Sequence, residues 1–387
     1  MTEAAIAISW DDSAANAGKK LAEEIKSKLK GRAPHAVLVF ASSRYNYEEL
    51  LTALDMGCNP EYLVGCSSAG EFTKHDQKEG AVCAVGLWSD RLKFSAGVGT
   101  NIRVSRSQAA TEIVSSFKGL KNNDYRYHTA IVMSDALAGY TDDFIEELML
   151  KTDGKYQLVG GGAGDDAKFQ ETEVFFGRKS YKDAAVALEI MSNEPIGIGV
   201  QHGWEVASRA MRVTEADGSR LISVDSMPAA EAFQEFAEQT HQNFDQTNPI
   251  PFFLHNVIGL HTSSGYKLRV PLAINPDGSV SCASNVPEGS TIHIMRTSSA
   301  SAANAATQAA EAALAQLNGN EPRVAIFFDC VATRLRLGID FSDELTSVAT
   351  ALKGAEFVGC NTYGQIARVD GQFSGFHNCT AVTCILP

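Results

Sequence analysis

The sequence predicts a mixed α/β fold, with helices packed on mixed sheets and repeated β-α-β-α-β units forming two related domains. Three observations carry that expectation. An apolar strand ending in Val-Gly, followed shortly by a second glycine, occurs three times: YLVGCSSAGEF from Tyr62, YQLVGGGAGDD from Tyr156 and AEFVGCNTYGQIA from Ala355. Each copy is preceded by the same series of strand, long helix, strand and second helix. The chain is also long for one core at 387 residues, and its 44% hydrophobic and 20% charged content is that of a globular protein.

Taken in order, the first unit reads as the strand AIAISW, the helix DSAANAGKKLAEEIKSKL, the strand AVLVFA, a helix near Tyr47 to Met56, and the first glycine turn. The second reads as LKFSAGVG, SRSQAATEIVSSFKGL, TAIVMS and a helix near Thr141 to Lys151. The third reads as TIHIMRT, SSASAANAATQAAEAALAQL, RVAIFF and a helix near Ser342 to Leu352, with FHNCTAVTCILP as a closing strand. All three long helices open on a serine-rich N-cap and carry apolar residues three and four apart. The stretch from roughly 193 to 290 is either a fourth, degenerate unit or an insertion. In it PIGIGVQHG reads as a strand, Asp217-Gly218 as a hairpin turn, and MPAAEAFQEFAEQTHQNF as an amphipathic helix with Pro228 in its first turn. The domains expected are residues 1–220 and 221–387.

The net charge of -13 disfavours nucleic acid and anionic membrane as partners, and no long Lys/Arg cluster offsets it. The N-terminus MTEAAIAISWDDS lacks a basic stretch followed by an apolar core, and apolar runs such as RVAIFFDCVA are too short to span a bilayer. A cytoplasmic protein is expected. The eight cysteines stand at 58, 66, 83, 282, 330, 360, 379 and 384, without a C-x-x-C pair. Most lie in apolar strand-like runs, where cysteine behaves as a small buried hydrophobe.

With these elements in place, the chain resembles a FIST-domain protein with an N-terminal and a C-terminal FIST module. The resemblance runs from about residue 35 to 385. It rests on LVGCSSAGEF in the first half, and on LRVPLAINPDGSVSCASNVPEGSTIHIM, FVGCNTYGQIA and FHNCTAVTCIL in the second. It implies an intracellular sensory domain that binds a small ligand such as an amino acid. Some stand-alone members of this size are nitric-oxide sensors that carry haem and act on a histidine kinase. Haem b as cofactor, and a histidine kinase or cyclic-dinucleotide signalling enzyme as partner, are therefore implied. Two departures stand out: Gln365 occupies the place where the family usually has glutamate, as at Glu71, and the middle copy has Gly160, Gly161, Gly162 and Ala163 in place of small polar residues.

The candidate ligand residues follow from the turns. Gly65, Gly70, Gly359 and Gly364 permit close approaches and unusual backbone, and a turn after a strand presents successive N–H groups as an anion nest. Cys66, Ser67, Ser68, Asn361, Tyr363 and Gln365 add polar side chains, and Glu71 would receive an ammonium, a set suited to a zwitterion. The alternative is that the repeated fold simply needs tight corners. Arg269, on the alternating strand KLRVPLAI, would clamp a carboxylate or a haem propionate, or else be ion-paired within the protein. For haem, His241, His255 and His261 lie in QTHQNFDQTNPIPFFLHNVIGLHTSS among Phe244, Phe252 and Phe253, and are alternative axial ligands.

A nucleophilic Cys66 or Cys360 needs a base, and His75 and His377 are each the sole histidine near their turn. GCSSAG does not match the hydrolase elbow, and GGGAGDD matches neither G-x-G-x-x-G nor a P-loop. The reading is a non-enzymatic sensor holding a small ligand. A thiol-dependent enzyme using Cys66 or Cys360, and a scaffold that binds nothing, are the alternatives.

Overall fold

How closely a helix lies on its strand decides how each unit is built, and small residues set that distance. Gly99 and Gly199 occupy equivalent first strands; a Cβ on them would stand 2.1 Å from the Ala109 carbonyl oxygen and 1.8 Å from that of Ala309. Ala5 and Ala7, both buried, hold the same places in the first unit. Each long helix therefore beds directly onto backbone. Each is started by a serine whose Oγ accepts a backbone N–H: Ser13 from Asn16 at 3.3 Å, Ser105 from Gln108 at 3.2 Å and Ser298 from Ser301 at 3.1 Å. Such caps contribute about 1 kcal/mol apiece.

The computed structural model describes residues 1–387 apart from 123, 264 and 369–373. Its mixed α/β architecture is the class the sequence predicts. Unit I comprises strand Thr2–Ser9, helix Ala14–Lys28, strand Ala36–Ser42, helix Tyr47–Cys58, strand Tyr62–Ser68, the short strands Glu71–Thr73 and Gln77–Lys78, and strand Val82–Ser89. Unit II repeats this as Lys93–Thr100, helix Arg106–Ser115, Tyr127–Ser134, helix Thr141–Lys151, Gln157–Gly162, the pair Val174–Phe176 and Lys179–Tyr181, and Ala184–Ser192. Unit III has strand Gly197–Gln201, helix Ser299–Gln316, strand Val324–Cys330, helices Val331–Leu337 and Phe341–Ala351, strand Glu356–Thr362, the pair Gln365–Arg368 and Ser374–His377, and strand Ala381–Leu386.

Three six-stranded sheets result, and none is made by one unit alone. In each, the four long strands of a unit are extended by a strand pair lent by another. Val174–Phe176 of unit II adds to Tyr62–Ser68 of unit I. Gln365–Arg368 of unit III adds to Gln157–Gly162 of unit II. Glu71–Thr73 of unit I adds to Glu356–Thr362 of unit III. The loans close a ring. Inward faces of all three sheets share one apolar core, in which Phe40 meets Phe328 edge-on with centroids 5.7 Å apart. The helices cover the outer faces over three further cores.

Residues 202–297 are an insertion, not a fourth unit. They form a nine-stranded sheet with helices Ala229–Gln239 and Ile250–Phe253 around their own core. Here the structure corrects the sequence reading. TIHIMRT, expected to open the third unit, lies inside this inserted sheet as strand Thr291–Arg296, paired with Val257–Thr262. The opening strand is Gly197–Gln201 in PIGIGVQ, paired with Ala381–Leu386. Its small-x-small spacing, shared with Ala5-x-Ala7 and Gly97-x-Gly99, is the signal that identifies it.

Candidate functional site

The three glycine turns meet and bind one another. Ala69 N donates to Asn361 O at 2.9 Å, and Asn361 N donates to Gly70 O at 2.8 Å. Gly162 N donates to Gly364 O at 2.8 Å, and Tyr363 N to Gly162 O at 2.9 Å. Gly164 N donates to Ser67 O at 2.9 Å, and Asp166 N to Ser68 O at 3.1 Å. The amides expected to cradle an anion are thus spent on the neighbouring turns, as buried N–H groups must be satisfied somewhere. The first glycines serve strand packing: a Cβ at Gly65, Gly160 or Gly359 would lie 1.9–2.0 Å from the carbonyl oxygen of the adjacent parallel strand. Gly70 and Gly364 have φ of +146° and +119°, which side chains resist.

The polar side chains of these turns face inward. Ser67 Oγ accepts from Glu173 N at 2.9 Å. The carboxyl of Glu71 takes a short hydrogen bond from Ser68 and accepts from Ala81 N at 3.0 Å. Unit III repeats this arrangement with an amide: Gln365 Nε2 donates to Thr362 Oγ1 at 2.8 Å, and Gln365 Oε1 accepts from Thr380 N at 3.2 Å. Burial raises the Glu71 carboxyl to about 8, against the lowering influence of its Ser68 hydrogen bond. Glu71 is therefore largely protonated at neutral pH, and the glutamine in unit III is its neutral equivalent. Asn361 is fully buried, and among the described residues neither of its side-chain polar atoms is hydrogen-bonded.

Cys66 and Cys360 lie fully buried in the shared core, and burial followed by the adjacent Cys66 thiol pushes Cys360 well up. Neither lines the pockets found near the turns. Arg269 is buried and ion-paired. Its Nη2 meets Asp142 Oδ2 at 3.0 Å, its Nε donates to Asn285 O at 2.7 Å, and its Nη1 to Leu268 O at 3.0 Å. Lys267 joins the same carboxylate at 2.8 Å, so Asp142 of unit II tethers the inserted sheet. His241, His255 and His261 are all exposed. The phenylalanines beside them turn instead into the inserted core, where Phe233 packs on Phe253 at 5.1 Å and Phe244 on Phe252 at 4.5 Å. Exposed rings of this kind do not fit a histidine axial ligand enclosed by apolar walls.

An apolar pocket with a ligand's dimensions lies elsewhere, where the inserted sheet meets units II and III beside Tyr363. It measures about 440 Å³. Unit II contributes Ala136, Leu137 and Phe169; the insertion contributes Phe253, Leu254, Val270 and Leu272; unit III contributes Cys330, Val331, Leu335, Tyr363 and Asn378. Among the described residues no charged side chain lines it. Of the residues singled out in the turns, Tyr363 is the one that reaches it. Its ring stacks on Phe169 at 4.5 Å and 16°, and its hydroxyl bonds to Asp165. Asp165 is fixed in turn by the backbone N–H groups of Phe169, Gln170 and Glu171 at 2.7–2.9 Å.

Two polar groups interrupt the apolar wall. Asn378 is 2% exposed, and its Oδ1 accepts from Ser284 Oγ at 3.2 Å. Among the described residues nothing pairs with its Nδ2. The other is the Cys330 thiol. Burial drives Cys58, Cys282 and Cys384 up to about 12, but Cys330 falls to about 7 because Cys379 hydrogen-bonds to it. The same contact, aided by burial, pushes Cys379 well up, as expected of two thiols sharing one proton. Cys379 has φ of +51°, a strained backbone for a residue with a side chain. Behind the pair lie Asp329, Arg336 and Glu344; burial raises Glu344 to about 7 and Asp329 well above the carboxylate range.

Three interlocked units carrying an uncharged pocket beneath an inserted sheet define a repeat-built α/β protein with room for one small molecule. Residues 35–227 match the FIST N domain and residues 229–368 the FIST C domain. The chain belongs to the FIST family, whose domains are sensory, signal-transducing modules that bind small ligands. It is 22% identical over 300 residues to the uncharacterized protein MJ1623 of Methanocaldococcus jannaschii, covering 72% of this chain and 57% of that one. The chain thus spans little more than half the length of that curated relative. Among solved structures, a cyanuric acid hydrolase from A. caulinodans aligns at 8% identity and TM-score 0.32, over 100% of this chain and 99% of that one. T. maritima PurL aligns at 10% identity and TM-score 0.24, over 99% and 72%. TM-scores this low establish neither a shared fold nor a shared activity. Among the described residues no helix is long and apolar enough to cross a membrane, and no cluster of three or more His, Cys, Asp or Glu is placed to hold a metal ion.

Proposed function

We propose that this protein is a non-enzymatic sensor whose ligand is a small, mainly apolar molecule held in the 440 Å³ pocket. The observation that carries the reading is the lining: apolar side chains throughout, no charge, and a single unpaired carboxamide donor at Asn378. Such a site pays for desolvating one polar group of the ligand with one hydrogen bond and takes the rest by apolar burial. Because the pocket's walls come from the inserted sheet and from two units, a bound molecule alters how the sheet sits on them. A separate signalling protein, such as a histidine kinase or a cyclic-dinucleotide enzyme, would read that change. The signal-transducing role of the family supports this last step.

An amino-acid-like ligand has a different place to go. A cleft of about 520 Å³ between units I and II is lined by Lys168 with Glu48, Glu171 and Glu173, the mixed charges a zwitterion needs. A thermal-shift screen separates the two. Small ketones and alcohols at about a hundred times their Kd should raise the Tm by several degrees. Filling the pocket with Ala332→Phe, at a residue of its unit III wall, should abolish that rise. A rise with amino acids alone, lost in Lys168→Ala and kept in Ala332→Phe, would overturn the apolar reading.

A further inference from the structure

We propose that Cys330 and Asn378 form a covalent capture site for an apolar α,β-unsaturated carbonyl compound, which enters the pocket and is taken up on the Cys330 sulfur. The proposal rests on the apolar pocket reading and names the chemistry of its ligand. Cys330 ends strand Val324–Cys330 and lines the pocket, while every other cysteine lies outside its wall. Asn378 lines the same pocket and keeps Nδ2 unpaired while Ser284 holds its Oδ1. An amide N–H that lines the pocket without a protein acceptor leaves that place to a ligand, and a carbonyl oxygen is the uncharged acceptor that suits an apolar site. Cys379, next in sequence to Asn378, adopts the left-handed φ of +51°. Its hydrogen bond to Cys330 favours the thiolate, the nucleophilic form of a thiol.

The step is an addition. The Cys330 sulfur bonds to the β-carbon, the double-bond electron pair shifts toward the carbonyl oxygen, and Asn378 Nδ2 donates to the resulting enolate. The α-carbon then takes a proton from water, replacing the proton the thiol released to solvent. One S–H is added across one C=C bond, with nothing oxidised or reduced. The adduct would press on the dithiol pair, and through Cys379 on the buried Asp329, Arg336 and Glu344 behind it.

Oct-1-en-3-one, methyl vinyl ketone and saturated octan-3-one test this. With the folded chain, intact-mass measurement should find one octenone adduct, mapped to Cys330 by peptide sequencing. Relative to glutathione, octenone should react about ten times faster than methyl vinyl ketone, because its tail fills the pocket. Asn378→Ala should slow the octenone reaction about tenfold with the thiol intact. Cys330→Ser should form no adduct yet still bind octan-3-one by ligand-observed NMR. No adduct at Cys330, or one that forms without regard to the tail, overturns the capture site. If octan-3-one binds all the same, the pocket reading survives that failure; if it does not bind, both fall.

Discussion

A single proton ties Glu71 to the stability of the molecule. The folded chain keeps this carboxyl protonated up to about pH 8, whereas the unfolded chain releases the proton near 4.5. Stability from this group is therefore complete below about pH 4.5 and is lost as pH rises toward 8, by about 1.4 kcal/mol per unit. Glu71→Gln copies the neutral arrangement already present at Gln365. It should leave stability at pH 4 unchanged, raise it at pH 8, and flatten the slope between them in urea melts. A slope identical to that of the parent protein would refute the assignment. Arg269 supplies a second test. Arg269→Met leaves Asp142 paired with Lys267 alone and strips the buried Asn285 and Leu268 carbonyls of their donor, and should cost about 1–3 kcal/mol, more than an exposed ion pair. At this scale the sequence was legible only in part. The glycines, Glu71 and Gln365 stand out in the sequence because they recur, but the recurrence reflects the packing of turns on turns. Cys330 and Asn378 carry no local mark: one ends an apolar run, the other sits in the turn before the closing strand, and their partners lie far away in sequence.

At the scale of elements, the long helices, their serine caps and the Val-Gly strands were all readable, because periodicity and capping act within a few residues. The opening strand of unit III was not, since about ninety-six inserted residues, 202–297, separate it from its helix. Its glycines give the element-level prediction. Gly199→Ala places a methyl group against the Ala309 carbonyl, and should destabilise by about 1–3 kcal/mol in chemical denaturation. Gly319→Ala adds a Cβ that meets nothing within 4 Å, and its cost should come from its φ of +88° alone. Equal effects on moving helix Ser299–Gln316 away from its strand, read as amide exchange along Gly197–Gln201, would count against the close-packing account. The pocket belongs to this scale too. Its walls come from segments near residues 136, 169, 253, 271, 283, 331, 363 and 378, so no window of sequence displays it.

For the whole molecule, the ring of lent strand pairs makes the three sheets interdependent. Calorimetry should find the three units melting in one transition, without a separate step for any of them. A fragment of residues 1–227 keeps most of units I and II but loses Gln365–Arg368 from one sheet, and leaves Glu71–Thr73 without Glu356–Thr362 and Gly197–Gln201 without Ala381–Leu386. It should expose sheet edges and aggregate rather than fold as a soluble piece. A monomeric, well-dispersed NMR spectrum from that fragment would show the exchange to be dispensable.

The exchange also orders events while the chain is being made. The sheet of unit I has every strand once Tyr181 has left the ribosome. The sheet of unit II must wait for Gln365–Arg368 and Ser374–His377, nearly two hundred residues later. That of unit III waits for Ala381–Leu386, which slots between Gly197–Gln201 and Val324–Cys330. For nearly half of its synthesis, then, the nascent chain holds one finished sheet and two incomplete ones, and the pocket-forming turn at Asn378 arrives almost at the last moment. A chaperone that shields strand edges would find its work concentrated in that interval.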